Sequence, residues 1–333
     1  MLFSDSVGYK GEVRILILNI LLSIVGFVLL IKCADIFVSG ASSFAKNLKI
    51  PTVVIGLTIV AFGTSAPELA ISFSSHISGN TDMMFGNVIG SSISNVFVIM
   101  GVAVLIVPLK IGNDAIKKEI PILMLITLGL SVLFLDMSFY GSEYNMLSRT
   151  DGIILILFFA IFVYYLISIL AKGKGENGVD EKPKHKMPIS VLMIAAGLGG
   201  VILGSDLVVN NVATFAENIG ISQKIISVTI ISIGTSLPEL VTIVAAAKQG
   251  ENNMAVGSIV GGNIFNICIV LGLPVIFLGE ATTSAFGIID IAFMLLAVLL
   301  LWVFSATNRT LKRYEGVILL VMYVVYAGYV FMQ

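Results

Sequence analysis

The stretch Gly63-Thr64-Ser65-Ala66-Pro67-Glu68-Leu69 returns 171 residues later as Gly234-Thr235-Ser236-Leu237-Pro238-Glu239-Leu240. Sliding the sequence against itself by that spacing aligns the two halves without a gap from Asp35 to Gly101. Asp35 falls on Asp206, Phe44 on Phe215, Ala45 on Ala216 and Asn47 on Asn218. Further along, Gly86, Gly90, Ile93, Asn95 and Gly101 meet Gly257, Gly261, Ile264, Asn266 and Gly272. The shared residues are largely polar or helix-breaking, so low-complexity coincidence does not explain them. An internal repeat of this length sets the architecture.

The composition says what the repeat is made of. Of 333 residues, 57% are hydrophobic and only 12% charged, against about 25% charged in ordinary soluble domains. The mean hydropathy is +1.05. A spanning helix needs roughly 20 apolar residues, and ten such segments can be drawn: 14–38, 51–78, 83–107, 119–137, 151–171, 188–211, 222–247, 253–278, 284–304 and 315–332. Lys10 and Arg14 precede the first run without a small-residue cleavage site after it, so a retained membrane helix is expected there. Cys33 and Cys268 lie inside apolar runs and read as packing residues, with no disulfide or metal-type spacing. A net charge of -1 leaves no basic face, which argues against a nucleic-acid partner.

Lys and Arg are distributed unevenly between the two sides. One side carries Lys46, Lys49, Lys110, Lys117, Lys118, Lys172, Lys174, Lys182, Lys184, Lys186, Lys248, Arg309, Lys312 and Arg313. The other carries Lys10, Arg14, Arg149 and Lys224. The lysine-rich side is expected to be cytoplasmic, which places both termini outside. The expected layout is a first five-helix repeat (1–171), a polar, mobile cytoplasmic linker (172–187) and a second five-helix repeat (188–333). Five is odd, so the second half enters the membrane upside down. The fold class expected is all-α and polytopic, with ten transmembrane helices in two inverted repeats and broken helices 2 and 7 at the centre. Inverted repeats are the signature of secondary transporters, whose substrate sits at the repeat interface near the midplane.

The repeated motif falls in the middle of the second and seventh spans. Proline there removes a backbone hydrogen bond and clashes with the preceding turn. The freed carbonyls of the Gly-Thr-Ser stretch need partners that lipid does not supply, and a hard cation does. A glutamate at that depth costs about 3 kcal/mol on insertion scales, and Glu68 and Glu239 would repel each other unless a cation or proton lay between them. Hydroxyls of Thr64, Ser65, Thr235 and Ser236, with backbone carbonyls, complete an oxygen shell suited to calcium or sodium. A single proline with a nearby serine often marks no more than a kink with back-bonding. Two matched copies, each with a mid-span glutamate, outweigh that reading.

The second repeated element is Gly86-Asn87-Val88-Ile89-Gly90-Ser91-Ser92-Ile93-Ser94-Asn95, matched by Gly257 through Asn266. Close helix packing accounts for its glycines. Asn95 and Asn266 are strong polar groups at the same place in each half, and an amide carbonyl can ligate a cation or bond a glutamate. Lys32 and Asp35 read as an intrahelical pair with snorkelling. Asp206 lacks that lysine, because Leu203 takes its place. His76 reads as structural or exposed, and His185 lies in the linker.

In these residues the sequence resembles the sodium/calcium exchanger family, within the wider calcium/cation antiporter group. The resemblance covers nearly the whole chain, and the paired Gly-Thr-Ser-x-Pro-Glu motif is highly specific. It implies a plasma-membrane secondary transporter rather than an enzyme. No cofactor is implied; the partners are transported Ca2+ and Na+ and the bilayer, and the expected unit is a monomer. It implies four cation sites between the broken helices: Glu68 and Glu239 would hold calcium, helped by Thr64 and Thr235. Ser65, Ser91 and Ser236, with carbonyls near Ala61 and Ser232, would serve sodium. Ile15 to Val38 and Pro188 to Val209 would slide across the rigid remainder to alternate access.

Two positions depart from the family pattern. Prokaryotic relatives often carry an acid where Asn266 stands and a serine where Gly262 stands. Asn266 removes a carboxylate on which potassium co-transport looks to depend, which argues against it. Gly262 deletes a hydroxyl from one sodium position. The related proton/calcium exchangers also carry asparagine at both helix positions but differ at the Gly-Thr-Ser stretch, here of sodium type twice. A Ca2+/H+ antiporter of the same fold is the alternative. A channel needs a continuous polar pathway, and no span has a polar stripe along its full length.

Overall fold

The computed structural model describes residues 4–172, 182–219 and 232–332. It is a helical bundle. Among the described residues seven helices are long and apolar enough to cross a membrane, or eight if the pair Thr52–Thr64 and Ala66–Ile77, bent by 44°, is one span. The expected fourth span is a 15-residue helix, Ile120–Phe134, continuing a π-turn at Ala115–Glu119. The first part of the expected seventh span lies outside the described residues, as do residues 173–181 of the expected linker.

The bundle has a buried centre and a lipid-facing rim. The most apolar window of Asn252–Leu278 is 83% buried, whereas those of Leu16–Leu48 and Arg149–Ala171 are 17% buried. Ile17, Leu18, Leu21, Ile24 and Val25 are exposed along the first helix. An apolar surface of that extent is stable only against hydrocarbon.

The first helix runs from Ser4 to Leu48 and so outlasts the expected span 14–38. The change to Ser, Lys and Asn after Val38 alters polarity without breaking the helix. Lys49 takes a left-handed φ of 56°, and Pro51 then prevents continuation. This helix lies along Met187–Asn218. A Cβ on Gly197 would stand 2.6 Å from the Phe37 nitrogen and one on Gly204 2.8 Å from the Leu30 nitrogen, so the two backbones are in contact through glycine.

Element boundaries recur at the spacing of the sequence repeat. Ala61–Thr64 and Ala66–Ile77 are matched by Ser232–Thr235 and Leu237–Lys248, and Thr81–Ser94 by Asn252–Phe265. The π-turn Asn95–Met100 is matched by Asn266–Leu271. Two short antiparallel ribbons tie the halves together, Leu109–Lys110 with Thr310–Leu311 and Asn145–Leu147 with Ala281–Thr283. Strands of two or three residues are too short to carry a periodic signal in the sequence. Glu119 and Asp290 also stand at the repeat spacing, and each meets a tyrosine of the next long helix, though the two tyrosines are not at that spacing. Buried Glu119 accepts from the Tyr165 hydroxyl at 3.2 Å, and buried Asp290 from the Tyr326 hydroxyl at 3.2 Å.

Candidate functional site

Each break has the same local cause. Pro67 and Pro238 sit in the first turn of the helices Ala66–Ile77 and Leu237–Lys248, where proline is tolerated and a continuing helix is not. Ser65 (φ -89°, ψ 7°) and Ser236 (φ -91°, ψ 0°) form the hinges. Proline lacks the N–H that would reach four residues back, so the carbonyls of Gly63 and Gly234 lose their helical donors. The Gly234 carbonyl accepts instead from the Ser205 hydroxyl at 3.0 Å. Ala34 matches Ser205 in the first half and offers no such donor.

The breaks bring the carboxylates to the start of the second helix segment in each half. Glu68 is 1% exposed and Glu239 5%, and the Oε2 atom of each is buried without a hydrogen-bond partner. The Ser65 hydroxyl donates to Glu239 Oε1 at 3.5 Å, which joins the first motif to the second. Thr64 is buried, and its hydroxyl donates to the carbonyls of Val60 at 3.1 Å and Ala61 at 3.3 Å. That is the back-bonding of a kinked helix, and it leaves the hydroxyl lone pairs free to accept a cation. Ala61 is buried one turn before the break, and Ser232 opens the short helix that ends at Thr235. Thr235 and Ser236 are half-buried.

The second repeated element closes the site from the other side. Gly261 packs on the first broken helix so closely that a Cβ would stand 2.6 Å from the Leu57 carbonyl oxygen. Ser91, Asn95 and Asn266 are buried, and both asparagines open π-turns, a distortion frequent at functional sites. Asn266 Oδ1 is buried and unpartnered. Gly262 faces the first motif, with its ideal Cβ 3.6 Å from Ser65 Oγ and 4.0 Å from Asn95 Nδ2.

Three further residues belong to this neighbourhood and were not singled out from sequence. Asn87 donates to the Glu68 carbonyl at 3.0 Å and the Ser72 hydroxyl at 3.3 Å. Ser205 caps Gly234, as above. Asn263 takes a hydrogen bond from Asn95. Asn87 and Asn263 were visible as polar residues in apolar runs, but neither is repeated, so the repeat did not mark them. Asp206, which is repeated, is exposed on its helix.

The donors are carboxylate, hydroxyl, amide and carbonyl oxygens, with no thiolate or imidazole among them. That set suits hard cations. Two buried carboxylate oxygens without hydrogen-bond partners call for a cation or a proton beside them.

The sodium/calcium exchanger family profile, described as "Sodium/calcium exchanger protein", matches residues 18–168 and 189–332. The chain belongs to that family, which consists of membrane secondary transporters and not of enzymes. It is 38% identical over 316 residues to the putative antiporter CaxA of Alkalimonas amylolytica, covering 91% of this chain and 95% of that protein. It is 32% identical over 345 residues to the sodium/calcium exchanger MaX1 of Methanosarcina acetivorans, covering 92% and 97%. Among solved structures it is similar to the sodium-calcium exchanger NCX_Mj, with a TM-score of 0.79, 28% identity and coverage of 94% of this chain and 99% of that one.

Proposed function

We propose that the protein exchanges Ca2+ for Na+ across the plasma membrane by alternating access, with Glu68 and Glu239 at the centre of a shared cation site. The observation that carries this reading is the hydrogen bond from Ser65, at one helix break, to Glu239, just beyond the other. In this reading Glu68 and Glu239 hold calcium with Thr64 and Thr235. Ser65, Ser91 and Ser236, with carbonyls near Ala61 and Ser232, serve sodium, and Asn95 and Asn266 supply amide oxygens. Two buried carboxylates are neutralised by one calcium or by several sodium ions, and poorly by both sets together. Competition for shared oxygens is then the minimal mechanism of antiport, each ion biasing the state it neutralises.

The architecture of this reading is ten spans in two inverted repeats, 1–171 and 188–333, joined by a cytoplasmic linker at 172–187 with both termini outside. The matched element boundaries support the repeat, and the lysine distribution supports the orientation. The helices Ser4–Leu48 and Met187–Asn218 form the sliding pair. Their glycine-mediated contact with each other and their lipid-exposed outer faces support that assignment.

Titrating both ions calorimetrically against the purified protein tests the competition. Sodium should displace calcium with a Hill coefficient above one, because more than one sodium is needed to match the charge. Calcium binding indifferent to sodium would favour proton coupling instead.

A further inference from the structure

We propose that Asn263 is a positioning residue that turns the Asn95 amide so that its oxygen, and not its nitrogen, is offered to the transported cation. This inference rests on the reading of Asn95 as a cation ligand. Asn95 Nδ2 donates to Asn263 Oδ1 at 2.9 Å, and Asn263 Nδ2 donates to the Ser92 carbonyl oxygen at 3.3 Å. Asn95 and Asn263 are 3% and 1% exposed, so water does not compete for these bonds.

The direction of this relay follows from chemistry. A backbone carbonyl only accepts, so the Asn263 group facing Ser92 must be its NH2. The Asn263 oxygen then faces Asn95, and only the Asn95 NH2 can donate to it. Asn95 Oδ1 is therefore fixed on the far side of its amide. Either rotamer of an asparagine fits the same space, and an amide NH2 facing a cation is repulsive where the oxygen is a ligand. Without Asn263 nothing in this contact would choose between them.

The repeat supplies an internal comparison. The residue matching Asn263 in the first half is Ser92, and the residue matching Asn95 is Asn266. The Ser92 hydroxyl and Asn266 Oδ1 are both buried without a partner. A serine is too short to reproduce the relay, so one amide of the matched pair is pinned through Asn263 and the other is not. The two halves of the site thus differ at the position that would hold the amide, serine in one and asparagine in the other.

Cation affinity in a double-mutant cycle tests the proposal, with calcium chloride and sodium chloride as the titrants on the purified full chain. Asn263→Ala should weaken calcium binding by about tenfold or more, the usual effect of losing a group that orients a metal ligand. In the Asn95→Ala background the same change should alter affinity by less than about twofold, because the group it acts through is gone. An equal loss in both backgrounds would mean a general structural role and overturn the proposal. An Asn95→Ala protein with unaltered affinity for both ions would overturn it at its premise, while the Glu68 and Glu239 reading stands or falls separately on calcium flux. Should Asn263→Ala fail to fold, Asn263→Ser places at this position the residue of the matched half, too short for the relay, and should weaken calcium binding to a similar extent. An unchanged calcium affinity in a folded Asn263→Ser protein would likewise overturn the proposal.

Discussion

Ser65 and Glu239 stand 174 residues apart in the chain and meet at 3.5 Å. The serine is the hinge of the first broken helix, and the glutamate lies in the first turn after the second break. One break thus supplies a hydroxyl to the other's carboxylate. An ion that draws on both must sense the relative position of the two halves, which is what coupling requires.

Glu68→Gln and Glu239→Gln should each abolish calcium exchange without unfolding the protein. Glutamine keeps the volume, and losing a buried charge removes a desolvation cost. A divalent ion left under-neutralised in a low-dielectric site should lose affinity by on the order of a hundredfold or more. Vesicle flux and thermal melting check the two halves of the prediction; normal flux in either variant would remove the carboxylates from the mechanism.

Calcium binding should weaken on acidification. A proton on Glu68 or Glu239 removes a charge that the cation needs, so protons and calcium compete, and the affinity present at higher pH is lost as pH falls. Calcium titrations between about pH 5 and 8 read this directly, a range wide enough to reach environment-shifted carboxylates. An affinity that does not change across it would contradict the shared carboxylate site.

Gly262→Ser should tighten sodium binding while changing calcium affinity by less than about twofold. The ideal Cβ lies at ordinary contact distances, 3.6 Å from Ser65 Oγ and 4.0 Å from Asn95 Nδ2, so the position accepts a Cβ without a backbone shift. One added hydroxyl ligand worth about 1 kcal/mol gives roughly a fivefold gain. Calorimetry on parent and variant decides, and an unchanged sodium affinity in a folded variant would exclude position 262 from the sodium site.

Gly261→Ala should destabilise the protein by about 1–3 kcal/mol, the usual range for overpacking. The new methyl would meet the Leu57 carbonyl oxygen at 2.6 Å, a backbone atom that cannot move aside as a side chain would. A thermal-melting shift in detergent measures it. A variant as stable as the parent would mean that the two central helices are not locked backbone to backbone.

The breaks and the carboxylates were legible in the sequence because proline, glycine and glutamate in an apolar run each demand a local explanation, and the repeat states the demand twice. Asn263 and Ser205 were not legible. Their roles depend on contacts with Asn95, 168 residues away, and with Gly234, 29 residues away. Neither is echoed in the other half. The first helix outlasts its apolar run because hydropathy falls at Ser39 while helical geometry persists to Leu48. The π-turns at Asn95 and Asn266 left no sequence mark either, since a residue added to a helical turn shifts its periodicity too little to see over six residues.

The most direct measurement is calcium-45 uptake by the purified protein in sealed vesicles, with sodium and proton gradients imposed separately. An outward sodium gradient should drive uptake, Glu239→Gln vesicles should show none, and a proton gradient alone should drive little. Uptake driven by the proton gradient and indifferent to sodium, or no calcium movement under either, would contradict sodium/calcium exchange.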